Sequence, residues 1–451
     1  MKYALLFFIL ISSFRIEFAN SQTWTSVGLG MNNGIYCLQT DTANNLLYAG
    51  GYFTTAGSAT VSCIAAWNGV TWNTLGTGIS GTNGHVRAMI IYNGELYAGG
   101  HFALAGGMTI FNLAKWNGTT WSVVGGGVDS SAYIDCFAEY NGELYVGGYL
   151  FTTAGTSPVN SIAKWNGTTW SSVGSGVSSG VQALSVYNGE LYAAGEMTQA
   201  GGINVNNIAK WDGASWSDVN GGLNSKVFSL CNYNNELYAG GNFFMAGITP
   251  ALNIAKWNGI TWDSVATGID WMVDALTVFD GSLYAGGLFW NAGGVPVNNI
   301  SRWNGINWSS IGSGIPDLSL NSTPIVRTLK EYNSCLYAGG IFSIANGSPS
   351  NYIAKWDCNT LGTEDILEMS ELKVFPNPCY YITTVSTNIE MKDATLILYN
   401  SLGNKIQQYD NISGKHYQLN LNNFNSGVYF IKIFQENVTY KLAKISIANV
   451  E

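Results

Sequence analysis

Residues 92–121 read YNGELYAGGHFALAGGMTIFNLAKWNGTTW, and close copies of this stretch run through most of the chain. The LYAGG core begins at Leu47, Leu96, Leu144 (as LYVGG), Leu191 (as LYAAG), Leu237, Leu283 and Leu336, so successive copies lie 46 to 53 residues apart. A period of roughly 40 to 50 residues marks one supersecondary unit per repeat, most often a propeller blade. Residues 181–221 show the unit: VQALSVY, ELYAAGE, NIAKW and ASWSDV read as four short strands, with Asn-Gly and Asp-Gly as turns. Both dipeptides supply the positive φ angles of a two-residue type I′ turn, which predicts tight antiparallel hairpins. No helical periodicity appears, and a glycine pair without a helix N-terminus behind it is not a phosphate loop. The glycine pairs instead give room for the Trp and Tyr rings of the next blade. The expectation is an all-β, seven-bladed β-propeller over residues 22–360.

The last unit carries IVRTLKEY, LYAGGIF and YIAKW but stops after DCNT, whereas TWTSVG at residues 23–28 is a fourth strand without its first three. The N-terminal strand is therefore expected to complete blade seven and hide two exposed edges. Cys335 opens the second strand of that blade and Cys358 follows the third; antiparallel neighbours put these ends side by side, which predicts a disulfide clasp. Cys37 and Cys136 take a small-residue position in the first strand and read as packed core.

The Gly-Gly strand, the Tyr before it and the Trp pairs of IAKWNGTTWSSVG (residues 162–174) resemble kelch-type repeats, related in plan to galactose-oxidase-like propellers. The resemblance covers about residues 23–358 and implies binding more often than catalysis.

Both ends have their own grammar. Lys2, an apolar run from Tyr3 to Phe14, and the small Ala19 and Ser21 read as a signal peptide over residues 1–21, with no lipoprotein cysteine after it. After an acidic linker at residues 361–371, the segments LKVFPNP, ATLILYNSLGNKI, YQLNLNNFNSGVYFIKI and YKLAKISI read as short strands of an Ig-like β-sandwich over residues 372–451. Their order resembles the type A C-terminal sorting domain of the type IX secretion system, at Pro376, Asn377 and Pro378, Leu398 to Gly403, Gly427, Val428 and Tyr429, and Lys441 and Lys444. That resemblance implies a Bacteroidota-type bacterium, the type IX secretion machinery as partner, and a protein secreted or attached to the outer cell surface.

Composition narrows the partners. The net charge is −9 and only 10% of residues are charged, which argues against nucleic acid. Beyond the signal peptide no apolar stretch is long enough to be an integral membrane segment. No CxxC, HExxH or GxSxG motif and no acidic calcium loop is present, and no cofactor is implied. His85 and His101 flank a hairpin whose register sets His101 opposite Val86 and diagonal to His85; they are weak metal candidates, lacking a third ligand. Glu95, Glu143, Glu190 and Glu236 recur with the repeat and belong to the scaffold.

The second residue of each first strand breaks the repeat: Tyr36, Arg87, Asp135, Gln182, Phe228, Asp274 and Arg327. First strands line a propeller axis, so these seven are expected to cluster at one mouth, as ligand-binding residues or as ion pairs. The longer connections emerge on that face, and Trp271 and Trp290 there offer flat faces for stacking on sugar rings. The expected function is a secreted or cell-surface binding or adhesion propeller that recognises extracellular glycan or protein through the long-loop face. The alternative is a polysaccharide hydrolase or lyase, for which Asp135 and Asp274 would form the carboxylate pair.

Overall fold

The computed structural model describes residues 23–316, 323–345, 347–356, 372–400, 405–422, 424–435, 438–439 and 443–447. The signal-peptide reading, the linker, Cys358, Gly403 and Lys441 lie outside the described residues. The chain divides into two compact units, residues 1–359 and 360–451. Every regular element among the described residues is a strand.

In the first unit the described residues form seven four-stranded antiparallel sheets, with small two-stranded ribbons between their strands, one of them joined by a third short strand, Ile79–Ser80. The second sheet is typical. Its strands His85–Tyr92, Glu95–His101, Leu113–Trp116 and Trp121–Val123 lie in chain order. Asn93 and Gly94, at φ 50° and 76°, make the tight inner turn that Asn-Gly prescribes. The outer turn differs from expectation. Trp116 pairs with Trp121, leaving a four-residue loop in which Asn117 Oδ1 accepts from the N–H groups of Thr119 and Thr120. An Asx turn here replaces the two-residue hairpin, because the paired indoles set the loop length.

The first strands of the seven sheets are Ile35–Asp41, His85–Tyr92, Tyr133–Tyr140, Val181–Tyr187, Val227–Tyr233, Val273–Phe279 and Ile325–Tyr332. Each packs against its successor, and the last packs against the first. Indole hydrogen bonds repeat the same circuit: Trp72, Trp121, Trp170, Trp216, Trp262 and Trp308 donate through Nε1 to Val27, Leu75, Val124, Val173, Val219 and Val265 carbonyls of the preceding sheets. The N-terminal strand Trp24–Ser26 is the outer strand of the seventh sheet, with Trp24 opposite Trp356, and Trp24 Nε1 donates to Ile311 O. Opposite the long-loop face, the tyrosines that end five of the seven first strands reach the next sheet's inner turn, as from Tyr92 OH to Gly142 O and from Tyr332 OH to Asn45 O.

The glycine pairs have another use than the one expected. A Cβ on Gly50 would come within 2.6 Å of Val86, and one on Gly240 within 2.6 Å of Val273. The first glycine therefore admits a branched aliphatic residue near the start of the next sheet, joined at Gly99 by the Phe137 ring at 2.8 Å, and no Trp or Tyr ring. A Cβ on the second glycine would strike backbone of its own sheet, the Gly34 carbonyl for Gly51 and the Met272 carbonyl for Gly287.

That carbonyl marks a feature repeated in every sheet. The register between first and second strands slips by one, so that Ile35 pairs with Gly51 but Cys37 with Gly50, and Tyr36 has no partner. Arg87, Asp135, Gln182, Phe228, Asp274 and Arg327 are skipped in the same way. Each is the extra residue of a β-bulge.

The second unit joins its described strands in one six-stranded sheet. Two long strands, Ile382–Asn400 and Lys405–Asn420, run where shorter ones were expected, their pairing interrupted by register shifts. Val385, Leu396, Leu398, Ile412, Ile431 and Ile445 are among the residues of its core. Asn377 Oδ1 accepts from Ser446 N at 2.8 Å, tying the Pro-Asn-Pro turn to the last strand. Gly427 and Tyr429 lie on a strand paired with Ala443–Ile447, in which Lys444 sits opposite Phe430.

Candidate functional site

All seven repeat-breaking residues line one cavity of about 150 Å³. Each sheet contributes one of them, on its bulge. A bulge residue has no ladder partner, so its side chain is free to turn out of the pleat, and here it turns toward the axis. The site is thus one side chain per repeat, carried on seven equivalent backbones.

Charges in the cavity are paired between neighbouring sheets. Arg87 Nη1 lies 3.0 Å from Asp135 Oδ1, an ion pair without hydrogen-bond geometry, and Arg327 Nη1 donates to Asp274 Oδ2 at 3.3 Å. The Asp135 and Asp274 side chains are only 10% and 5% exposed. Burial pushes both carboxyls up to about 6, and the adjacent guanidiniums, which favour the ionised form, offset only part of that rise. Gln182 Oε1 and Arg327 Nε are buried without a hydrogen-bond partner.

Beside this ring of seven, and sharing Tyr36 with it, lies an aromatic arc. The bulge at Arg87 moves His101 directly opposite His85, correcting the diagonal placement expected from a regular hairpin. Their ring centroids are 6.1 Å apart. His101 stacks on Tyr133 at 4.3 Å and 10°, while Tyr36 and Tyr52 approach His85 at 5.6 and 6.2 Å. His85 Nδ1 contacts Asn83 O at 2.9 Å, so it carries the proton when the ring is neutral, and burial holds the imidazole below its usual pKa. Among the described residues no group of three His, Cys, Asp or Glu side chains could hold a metal.

Trp271 and Trp290, 55% and 52% exposed, meet edge to face at 6.5 Å beside the sixth sheet. Asp270 holds the backbone that carries Trp290: its Oδ1 accepts from Trp290 N and its Oδ2 from Asn291 Nδ2. Asn224 Oδ1 likewise holds Phe244 N, and Phe244 is exposed at the position equivalent to Trp290. Sequence reasoning missed Phe244. Aligning the repeats on the Phe or Met that follows the second strand (Phe53, Phe102, Phe151, Met197, Phe243, Phe289, Phe342) would have found it, since Thr54, Ala103, Thr152, Thr198 and Ser343 occupy that place elsewhere.

The remaining sequence expectations concern the scaffold. Lys115–Glu95, Lys164–Glu143, Lys210–Glu190 and Lys256–Glu236 pair at 2.7 to 3.0 Å, far from the mouth. Cys37 and Cys136 are buried and free, with thiols pushed up by burial. Cys335 is disulfide-bonded.

The fold and its appended tail define an all-β, propeller-like protein carrying an export signal. Residues 373–448 match the secretion system C-terminal sorting domain, and residues 15–189 match the Rax2 C-terminal beta propeller domain. The sorting tail supports a protein that is secreted or held at the cell surface. No curated protein matches. Among solved structures, the chain is similar to PorZ, an essential bacterial surface component of the type-IX secretion system of Porphyromonas gingivalis, at 12% identity over 92% of this chain and 66% of that one, with a TM-score of 0.38. It is also similar to the extracellular domains of the putative one component system BT4673 and the putative hybrid two component system BT3049 of B. thetaiotaomicron. Identities are 12% and 9%, coverage is 95% and 94% of this chain against 58% and 57% of theirs, and both TM-scores are 0.46. The chain thus spans less than two thirds of each of these proteins. No helix among the described residues is long and apolar enough to cross a membrane.

Proposed function

We propose that the first unit is a seven-bladed, kelch-like propeller clasped by a Cys335–Cys358 disulfide, and that it acts outside the cell as a binding or adhesion module. Its ligand is extracellular glycan or protein, met at the long-loop face. One observation carries this reading: the seven positions that break an otherwise repeated scaffold all line a single cavity. A scaffold kept constant around a varied, converging set of side chains is the organisation of a recognition site. Exposed Trp271, Trp290 and Phe244 extend that face with aromatic surface on rigid supports. The test is a glycan array with the purified protein, with and without divalent metal. Selective binding lost in Trp271→Ala supports the reading; binding indifferent to Trp271→Ala and Arg87→Ala would move the site off this face.

A second reading has its own observation. Asp135 and Asp274 share one cavity with carboxyls raised to about 6, a range suited to acid–base work near neutral pH. A hydrolase would release reducing ends from polysaccharide and lose that activity in Asp274→Asn.

A further inference from the structure

The cavity takes a ligand of narrower class than glycan or protein at large. We infer that it binds one neutral sugar ring, end-on, as the terminal residue of a glycan; this rests on the reading of the long-loop face as a recognition surface. Size and shape come first. Side chains from all seven sheets wall the cavity on every side, so a polymer cannot run across it and enters only by an end. A volume of about 150 Å³ is close to that of cavities that hold a single six-membered ring.

Chemistry narrows the class further. Two guanidiniums and two carboxylates balance each other, and no formal charge is left over. A carboxylate or phosphate entering this space would face Asp135 and Asp274, and an ammonium would face Arg87 and Arg327. The cavity's buried atoms without hydrogen-bond partners are of both kinds, acceptors in Gln182 Oε1 and Asp135 Oδ1, the latter beside Arg87, and a donor in Arg327 Nε. A hydroxyl both donates and accepts, so a ring bearing several hydroxyls can satisfy both where a purely anionic or cationic group cannot. Phe228 and Tyr36, from the fifth and first sheets, stand on nearly opposite sides of the ring of seven and offer apolar faces to the C–H groups of a pyranose.

The experiment is saturation-transfer NMR and calorimetry on the full chain with the methyl glycosides of glucose, galactose and mannose, alongside glucuronic acid and glucosamine as charged counterparts. At least one neutral glycoside is expected to bind, and more tightly than its charged counterpart. Gln182→Ala, which leaves both ion pairs in place, is expected to weaken it roughly five- to tenfold with unchanged thermal unfolding. Equal or tighter binding of a charged sugar, or indifference to Gln182→Ala while array binding still depends on Trp271, would overturn the inference and leave the recognition face standing. Absence of any ligand at that face would remove both.

Discussion

Trp24 Nε1 donates to the carbonyl of Ile311 at 3.3 Å across 287 residues of sequence, and the indole lies against Trp356 with centroids 5.3 Å apart. Trp24 is 2% exposed. Trp24→Ala should therefore cost about 3 to 5 kcal/mol. Trp24→Phe, which keeps most of the packing but loses the donor, should cost about 1 to 2 kcal/mol. Chemical denaturation of the two variants separates the contributions; equal, small losses would mean that the N-terminal strand does not hold the ring.

The glycines of the second strands differ in their tolerance. A Cβ at Gly286 meets Val326 at 2.5 Å in the next sheet, whereas at Gly94 it meets nothing within 4 Å. Gly286→Ala should destabilise by about 1 to 3 kcal/mol through overpacking, toward the lower end because Ala194 already stands at the equivalent place in the fourth sheet. Gly94→Ala should cost about 1 kcal/mol for a different reason, its φ of 76°. A compensating Val326→Ala should recover part of the first variant's loss, whereas in the Gly94→Ala background it should only add the cost of its own cavity in thermal unfolding.

Stability should depend on pH through the mouth. Asp135 and Asp274 have folded pKa values of about 6, above the unfolded value of 3.8. Between about 4 and 6 the folded state binds more protons, so their ionisation is unfavourable to folding and stability from these two groups rises as pH falls through 6. His85, held neutral by burial, acts in the opposite sense. The comparison is therefore between the native chain and Asp135→Asn/Asp274→Asn: the difference in their melting temperatures should change between pH 7 and pH 5 in favour of the native chain. A pH-independent difference would show that the carboxyls titrate normally.

Truncating the rim should touch binding alone. Trp271 and Trp290 are more than half exposed, so Trp271→Ala and Trp290→Ala should each change stability by under about 1 kcal/mol while lowering affinity for the ligand by tenfold or more, about 1.4 kcal/mol. Parallel melting and binding curves decide it.

Much of this architecture was legible in the chain because each repeat writes its pattern again. Asn93-Gly94 announces its turn by backbone chemistry alone, and Thr23 to Gly28 could be assigned to the seventh sheet by counting. The seven mouth residues were visible as the variable place in a constant frame. The bulge that carries them was not, since Val86 and Ala88 on either side of Arg87 keep an ordinary apolar pattern and an extra residue leaves no mark in it. That slip misplaced His101. The two-residue ribbons, such as Leu104–Ala105 with Met108–Thr109, are too short to carry periodicity. In the second unit the long strands read as several short ones because polar residues such as Lys392 and Asp393 interrupt the alternation.

Because Tyr36, Arg87, Asp135, Gln182, Phe228, Asp274 and Arg327 have no ladder partners, exchanging their side chains asks little of the backbone that carries them. Frame and specificity are separable in such a molecule. Seven substitutions could redirect what it recognises while the indole latches and glycine contacts stay as they are, so the same gene could be retuned to a new surface without first having to relearn how to fold.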